Sequence, residues 1–98
     1  METSAVLVGI MTVELHLPDS HSLKEKRMVL NRLKSRLHHR SNVAISEVDH
    51  QDVWQRSAIA IVTVGGSRGR LERVLDEVRA EIESQPDALI AFEEREYR

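Results

Sequence analysis

The sequence predicts an α+β domain with the element order β-α-β-β-α-β, and three observations carry that prediction. Residues 5–17 alternate in polarity with period two, and two later stretches repeat apolar residues at helical spacing. Proline, glycine, serine and aspartate punctuate the chain between these stretches. At 98 residues, 41% apolar and 31% charged, the chain fits one globular domain over 1–98 rather than a disordered or collagen-like chain. Cysteine is absent, so disulfides, Cys-ligated zinc and thiol chemistry are excluded.

The first strand places Leu7, Met11, Val13 and Leu15 on one face and Val6, Val8, Ile10, Thr12, Glu14 and His16 on the other. No Lys or Arg precedes its apolar run, and Thr12, Glu14 and His16 interrupt it. A strand is therefore expected there, not a signal peptide or membrane helix, and the cytoplasm is the expected compartment. Pro18, Asp19 and Ser20 stop the strand, and Ser22 with Glu25 forms a capping box for a helix running to about Arg40. The stripe of that helix is Leu23, Leu30, Leu33 and Leu37, with Lys24, Arg32, Lys34 and Arg36 outward. Residues 43–49 and 57–64 read as two strands joined through His50 to Arg56. Gly65-Gly66-Ser67 opens a second helix with the stripe Leu71, Val74, Leu75, Val78 and Ile82, Pro86 closes it, and residues 88–93 supply a fourth strand before a charged tail.

With right-handed crossovers this order gives a ferredoxin-like βαββαβ split sandwich: a four-stranded antiparallel sheet in the order 4-1-3-2 with two helices on one face. Val6, Val8, Ile10, Val43, Ile45, Ile59 and Ile61 are expected on the uncovered face, because Ala44, Ala58, Ala60 and Val62 are small enough to let helices approach. Seven exposed aliphatics exceed the patch usual on a monomer, so a homodimer through this face is expected.

Leu15-x-Leu17-Pro18, Ser22-Leu23-Lys24-x-Lys26-Arg27 and Asn42-Val43 form one set of motifs, and Glu47-Val48-Asp49-His50-Gln51-Asp52-x-Trp54-Gln55-Arg56 a second, more specific one. Through them the chain resembles the YlxP-like family of small bacterial proteins, catalogued as a domain of unknown function. The resemblance covers about the first two thirds of the chain, and the remainder by pattern. It implies the ferredoxin-like fold and, commonly, a gene beside those for translation initiation and ribosome-binding factors. It implies no activity and no catalytic residues.

Two ends of the sheet carry the chemistry. At the top, Glu14 and His16 share a face of the first strand, and Glu47 and Asp49 are expected on the same outward face of the second, followed by His50 and Asp52. His16, Glu47, Asp49 and His50 are the metal candidates there, although carboxylates and histidine in a hairpin more often cap turns. Trp54 is expected to lid the core edge or lie against Arg56. At the bottom, Gly65-Gly66-Ser67-Arg68-Gly69-Arg70 presents helix-start amides to an anion. The net charge of -2 conceals a polarity: residues 24–40 hold seven Lys or Arg against Glu25 alone, and residues 71–98 nine acids against four Arg. Lys34, Arg36, His38, His39 and Arg40 are expected to converge with Gly66, Ser67, Arg68 and Arg70 into one phosphate-binding surface, with Gly66 at positive φ.

Three aromatics, Trp54, Phe92 and Tyr97, are too few for a base-stacking platform. The expected function is a non-enzymatic, cofactor-free cytoplasmic module that binds RNA or a ribosomal surface and no membrane. The alternatives are a small-ligand or metal-binding protein using Glu47, Asp49 and His50, and a purely structural homodimerisation domain.

Overall fold

The computed structural model describes residues 6–98, so residue 5 of the expected first strand lies outside the described residues. The elements are β1 (Leu7–His16), α1 (Leu23–Arg40), β2 (Ala44–Asp49), β3 (Arg56–Gly65), α2 (Arg68–Glu83) and β4 (Leu89–Tyr97). All strand pairs are antiparallel and the sheet order is β2-β3-β1-β4, which is the ferredoxin-like order counted from the other edge. No helix among the described residues is long and apolar enough to cross a membrane.

Local chemistry accounts for the helix ends. Ser22 caps α1 by accepting from the Glu25 amide at 3.1 Å. The Glu25 carboxylate reaches back to the His21 amide at 2.7 Å, one residue beyond the capping-box partner. Ser67 caps α2 by accepting from the Arg70 amide at 3.3 Å.

The core lies between the sheet and the helices. Met11, Val13, Leu15, Ile59 and Ile61 pack against Leu30, Leu33, Leu37, Leu75, Val78 and Ile82, with Val43 and Ile45 partly buried beside them. The face assignment expected from the sequence is therefore reversed for β2 and β3. Met11 pairs with Ile61, and Ile61 with Ile45, so Val43, Ile45, Ile59 and Ile61 face the helices. Ala44, Ala60 and Val62 share the uncovered face with Val8 and Ile10, and Val6, which precedes β1, is exposed. The reason is volume. Helices packed on a sheet leave a layer about 10 Å deep that isoleucines fill and alanines would leave void. Glycine brings the sheet close to α2 at Gly9, where a Cβ would stand 3.4 Å from Leu75 Cδ1.

Strand β4 runs four residues further than expected, and the charged tail belongs to the sheet. Its register turns Glu93, Arg95 and Tyr97 toward the helices. Glu93 accepts from Arg79 of α2 and from Arg95, and Arg95 also reaches Asp76 at 2.8 Å. Burial alone would lower the Arg95 pKa, but hydrogen bonds to Glu93, Asp76 and Tyr97 outweigh it and hold the guanidinium above its ordinary value. Charged pairs thus clasp α2 to the edge strand between Ile90 and Tyr97, which pack against the core.

Candidate functional site

The top of the sheet is organised by a lysine. Lys26 lies three residues after Leu23 and four before Leu30, on the apolar stripe of α1, and is 1% exposed. Its three ammonium protons meet three acceptors: Glu47 Oε2 at 2.7 Å and the carbonyls of His50 and Val53 at 2.6 and 2.8 Å. Glu47 also accepts from the Ser57 hydroxyl at 2.6 Å, and among the described residues no buried side-chain polar atom lacks a partner. The connector 50–55 is thus held from inside the protein. Sequence reading missed Lys26, although a lysine inside an apolar period was the signal.

The outer side of the connector is held as well. His50 has φ 62°, the left-handed region that a β-carbon disfavours. Its ring Nε2 lies 3.1 Å from Glu14 Oε1, with Arg56 Nη2 3.7 Å from the same oxygen, and its amide donates to Asp49 Oδ1 at 2.8 Å. Gln55 accepts from the Leu17 amide at 2.9 Å and donates through Nε2 to the Pro18 carbonyl at 3.3 Å.

The four metal candidates do not converge. A bulge between Glu47 and Asp49 puts them on opposite faces, correcting the shared outward face expected for them. Glu47 points to Lys26 beneath the sheet, His50 pairs with Glu14 above it, and His16 Nδ1 lies 3.2 Å from the Gln55 carbonyl. Among the described residues no group of three or more His, Asp or Glu has metal-binding geometry. Trp54, expected to lid the core edge or lie against Arg56, is 51% exposed, and the cation–π contact among the described residues is Arg68 over Tyr97, at 4.4 Å.

At the bottom the two expected basic clusters also stay apart. Arg36 and Arg40 approach Glu81 at 3.7 and 3.6 Å, while Arg68 pairs with Glu72 at 2.9 Å. Arg68 and Arg70 precede Glu81 on α2 by a distance of about 16–20 Å at ~1.5 Å per residue. β2 begins opposite Val62, while β3 continues to Gly65. Gly66 has no positive φ, which corrects that expectation, and a Cβ there would meet nothing within 4 Å. A Cβ on Gly65 would lie 3.1 Å from Leu71 Cδ2. Gly66→Val is therefore expected to change stability by less than about 0.5 kcal/mol, and Gly65→Val to cost clearly more, in parallel urea melts.

The surface of α1 divides into two flanks. Arg32, Arg36 and Arg40, spaced four apart, turn toward α2 and meet Asp87 at 2.5 Å and Glu81. Lys24, Arg27, Lys34 and His38 lie away from that flank and have no carboxylate within 4.0 Å among the described residues. The second flank spans about 20 Å at ~1.5 Å per residue. A hollow of about 350 Å³ on the other side is lined by Ser35, Arg36, His39, Arg40 and Glu81.

Comparison with known proteins adds a lineage. Residues 8–95 match the family model described as Protein of unknown function (DUF503). A relative from Bacillus subtilis (strain 168), named Uncharacterized protein YlxP, is 42% identical over 81 residues, covering 83% of this chain and 88% of that protein. Among solved structures, the de novo designed protein Foldit4 superposes with a TM-score of 0.56 over 96% of this chain and 97% of its own, at 11% identity, a likeness of fold alone.

Proposed function

Because the chain belongs to the DUF503 family of proteins of unknown function, we propose its role from geometry: a non-enzymatic cytoplasmic module that binds RNA or a ribosomal surface through α1. The observation that carries this reading is the flank of Lys24, Arg27, Lys34 and His38, whose charges no neighbouring acid neutralises. An acid-paired arginine must first break its internal bridge to reach a phosphate, whereas an unpaired cation releases counterions outright. The helix-start turn at Ser67 is a separate, weaker contact.

Three permanent charges on the flank set the expected salt dependence. Log affinity for ribosomal RNA fragments should fall against log salt with a slope of about -2 to -3, at ~0.7 to 0.9 per phosphate. Reversing Arg27 and Lys34 to Glu should flatten the slope by nearly two units, whereas reversing Arg68, which Glu72 already pairs, should leave it almost unchanged. Undetectable binding at low salt, or equal effects of the two reversals, overturns the reading.

A second reading rests on the uncovered sheet face. Val64 and Phe92 are 54% and 53% exposed there, alongside Val8, Ile10 and Val62. A second copy of the chain is the proposed cover, and the oligomeric state tests it.

A further inference from the structure

We propose that a second copy covers the sheet about a two-fold axis running along the strands between β1 and β3, so that Glu94 and Glu96 of each copy close over Ala44 and Ser46 of the other. This rests on the second-copy reading of the uncovered face and adds the arrangement, which the register of the four strands decides.

That register sorts the uncovered face into rows. Glu96, Ile10, Val62 and Ala44 stand side by side across β4, β1, β3 and β2, and Glu94, Thr12, Ala60 and Ser46 form the next row. On the other side of the first row, Arg98 exchanges two backbone hydrogen bonds with Val8, and Val8 pairs with Val64. The β4 edge of the face is therefore long and charged, the β2 edge is short, and the strands between them carry valine and isoleucine.

A two-fold interface sets one patch against itself, so the two halves of the patch must fit each other. Rotation about an axis along the strands keeps every row and exchanges the edges. Ile10 then lies over Val62 of the other copy and Val8 over Val64, while the long side chains of β4 lie over the short ones of β2. Val8, Ile10, Val62 and Val64 of both copies make a dry centre, and the acids fall on the rim, where water still reaches them. Two hollows match this exchange of edges. One of about 240 Å³, lined by residues 42–44 and 62–64, gives the Glu96 side chain of the other copy room beside Ala44. One of about 320 Å³, lined by Ile10, Thr12, Glu94, Arg95 and Glu96, receives the β2 edge in return.

Charge opposes the other face-to-face two-fold. An axis across the strands would lay β4 over β4 and set Glu94 and Glu96 against their own copies. Glu96 has Arg98 at 2.9 Å, but Glu94 has no cation within 4.0 Å among the described residues, so the repulsion would go unneutralised.

A lysine at the β2 edge tests the arrangement. Ala44 and Ser46 are exposed, so Ala44→Lys should fold as the parent does by circular dichroism, and Ser46→Lys serves if it does not. Within one chain the new ammonium stands three strand spacings from Glu96, or about 14 Å at ~4.8 Å each, beyond the screening length of about 10 Å at 0.1 M salt. A gain in dimer affinity on sedimentation equilibrium therefore comes from the acids of the other copy. Because the axis makes the contact twice, Ala44→Lys should tighten the dimer by about 2- to 30-fold, and Ala44→Glu should weaken it to a similar degree. Adding Glu94→Gln and Glu96→Gln should abolish the gain. A parental dimer that Ala44→Lys weakens or leaves unchanged overturns the arrangement while the second-copy reading stands. A parent that is monomeric at high concentration, or a dimer that Val62→Asp leaves intact, overturns both.

Discussion

Lys26→Met is expected to lower stability by about 3 kcal/mol and to release the connector from the protein. Methionine fills the aliphatic path of the lysine, so the loss comes from what remains unpaired: the Glu47 carboxylate and two backbone carbonyls. Removing one partner of a buried ion pair costs about 3–5 kcal/mol, and Glu47, at 19% side-chain exposure, keeps enough water to set the value near the lower end. In a domain of this size that is a fall in Tm of roughly 12–24 °C. Trp54 emission in the folded baseline should shift to the red as the Val53 carbonyl loses its anchor. Lys26→Met with Glu47→Gln should recover part of the loss, because an amide is cheaper to leave unpaired than a carboxylate. A loss below about 1 kcal/mol, or strict additivity in the double variant, would show that the lysine is not the connector's anchor.

Ile61→Asp and Val62→Asp, adjacent in sequence, are expected to have opposite outcomes. Ile61 is 0% exposed and pairs with Met11 and Ile45 on the helix side. Truncation of such an isoleucine alone costs about 2–5 kcal/mol, and a carboxylate without a partner adds a desolvation penalty that small-domain stability does not cover. Ile61→Asp should be unfolded or insoluble. Val62 lies on the uncovered face, and Val62→Asp should fold with near-parental Tm. Sedimentation of the same variant tests the second reading: a parental dimer that becomes monomeric supports the sheet-face interface, and a parent that is monomeric at high concentration removes it. If Val62→Asp unfolds while Ile61→Asp folds, the faces of β3 are reversed.

The site was legible in part. Ser22 was visible as a cap, Gly65-Gly66-Ser67 as a helix start and the Glu47–Arg56 run as a specific connector, because capping and turn formation involve residues within about four positions of each other. Lys26 was not, since its acceptors, Glu47, His50 and Val53, lie more than twenty positions away. The division of the α1 cations into an acid-paired flank and an unpaired one was hidden for the same reason. It depends on where Glu81 and Asp87 arrive, and charge counts along the chain cannot say which cation meets which acid.

Six elements, their order and hence the ferredoxin-like topology are written locally in the chain, through period-two alternation, the leucine stripes and the glycine, serine and proline breaks. Each strand also declares two faces. Which face of β3 joins which face of β1 is a question of register, and a slip of one residue exchanges every side chain between core and solvent. Both parities of β3 are apolar, so Ile59 and Ile61 compete with Ala58, Ala60 and Val62 on equal local terms. Packing settled that competition, because only the isoleucines fill the layer beneath Leu33, Leu37, Leu75 and Ile82. The bulge that turns Glu47 inward and Asp49 outward follows from the same pairing, and the separation of Arg40 from Arg68 from the side-by-side packing that brings Arg40 to Glu81. They depend on contacts between segments that neither segment encodes alone.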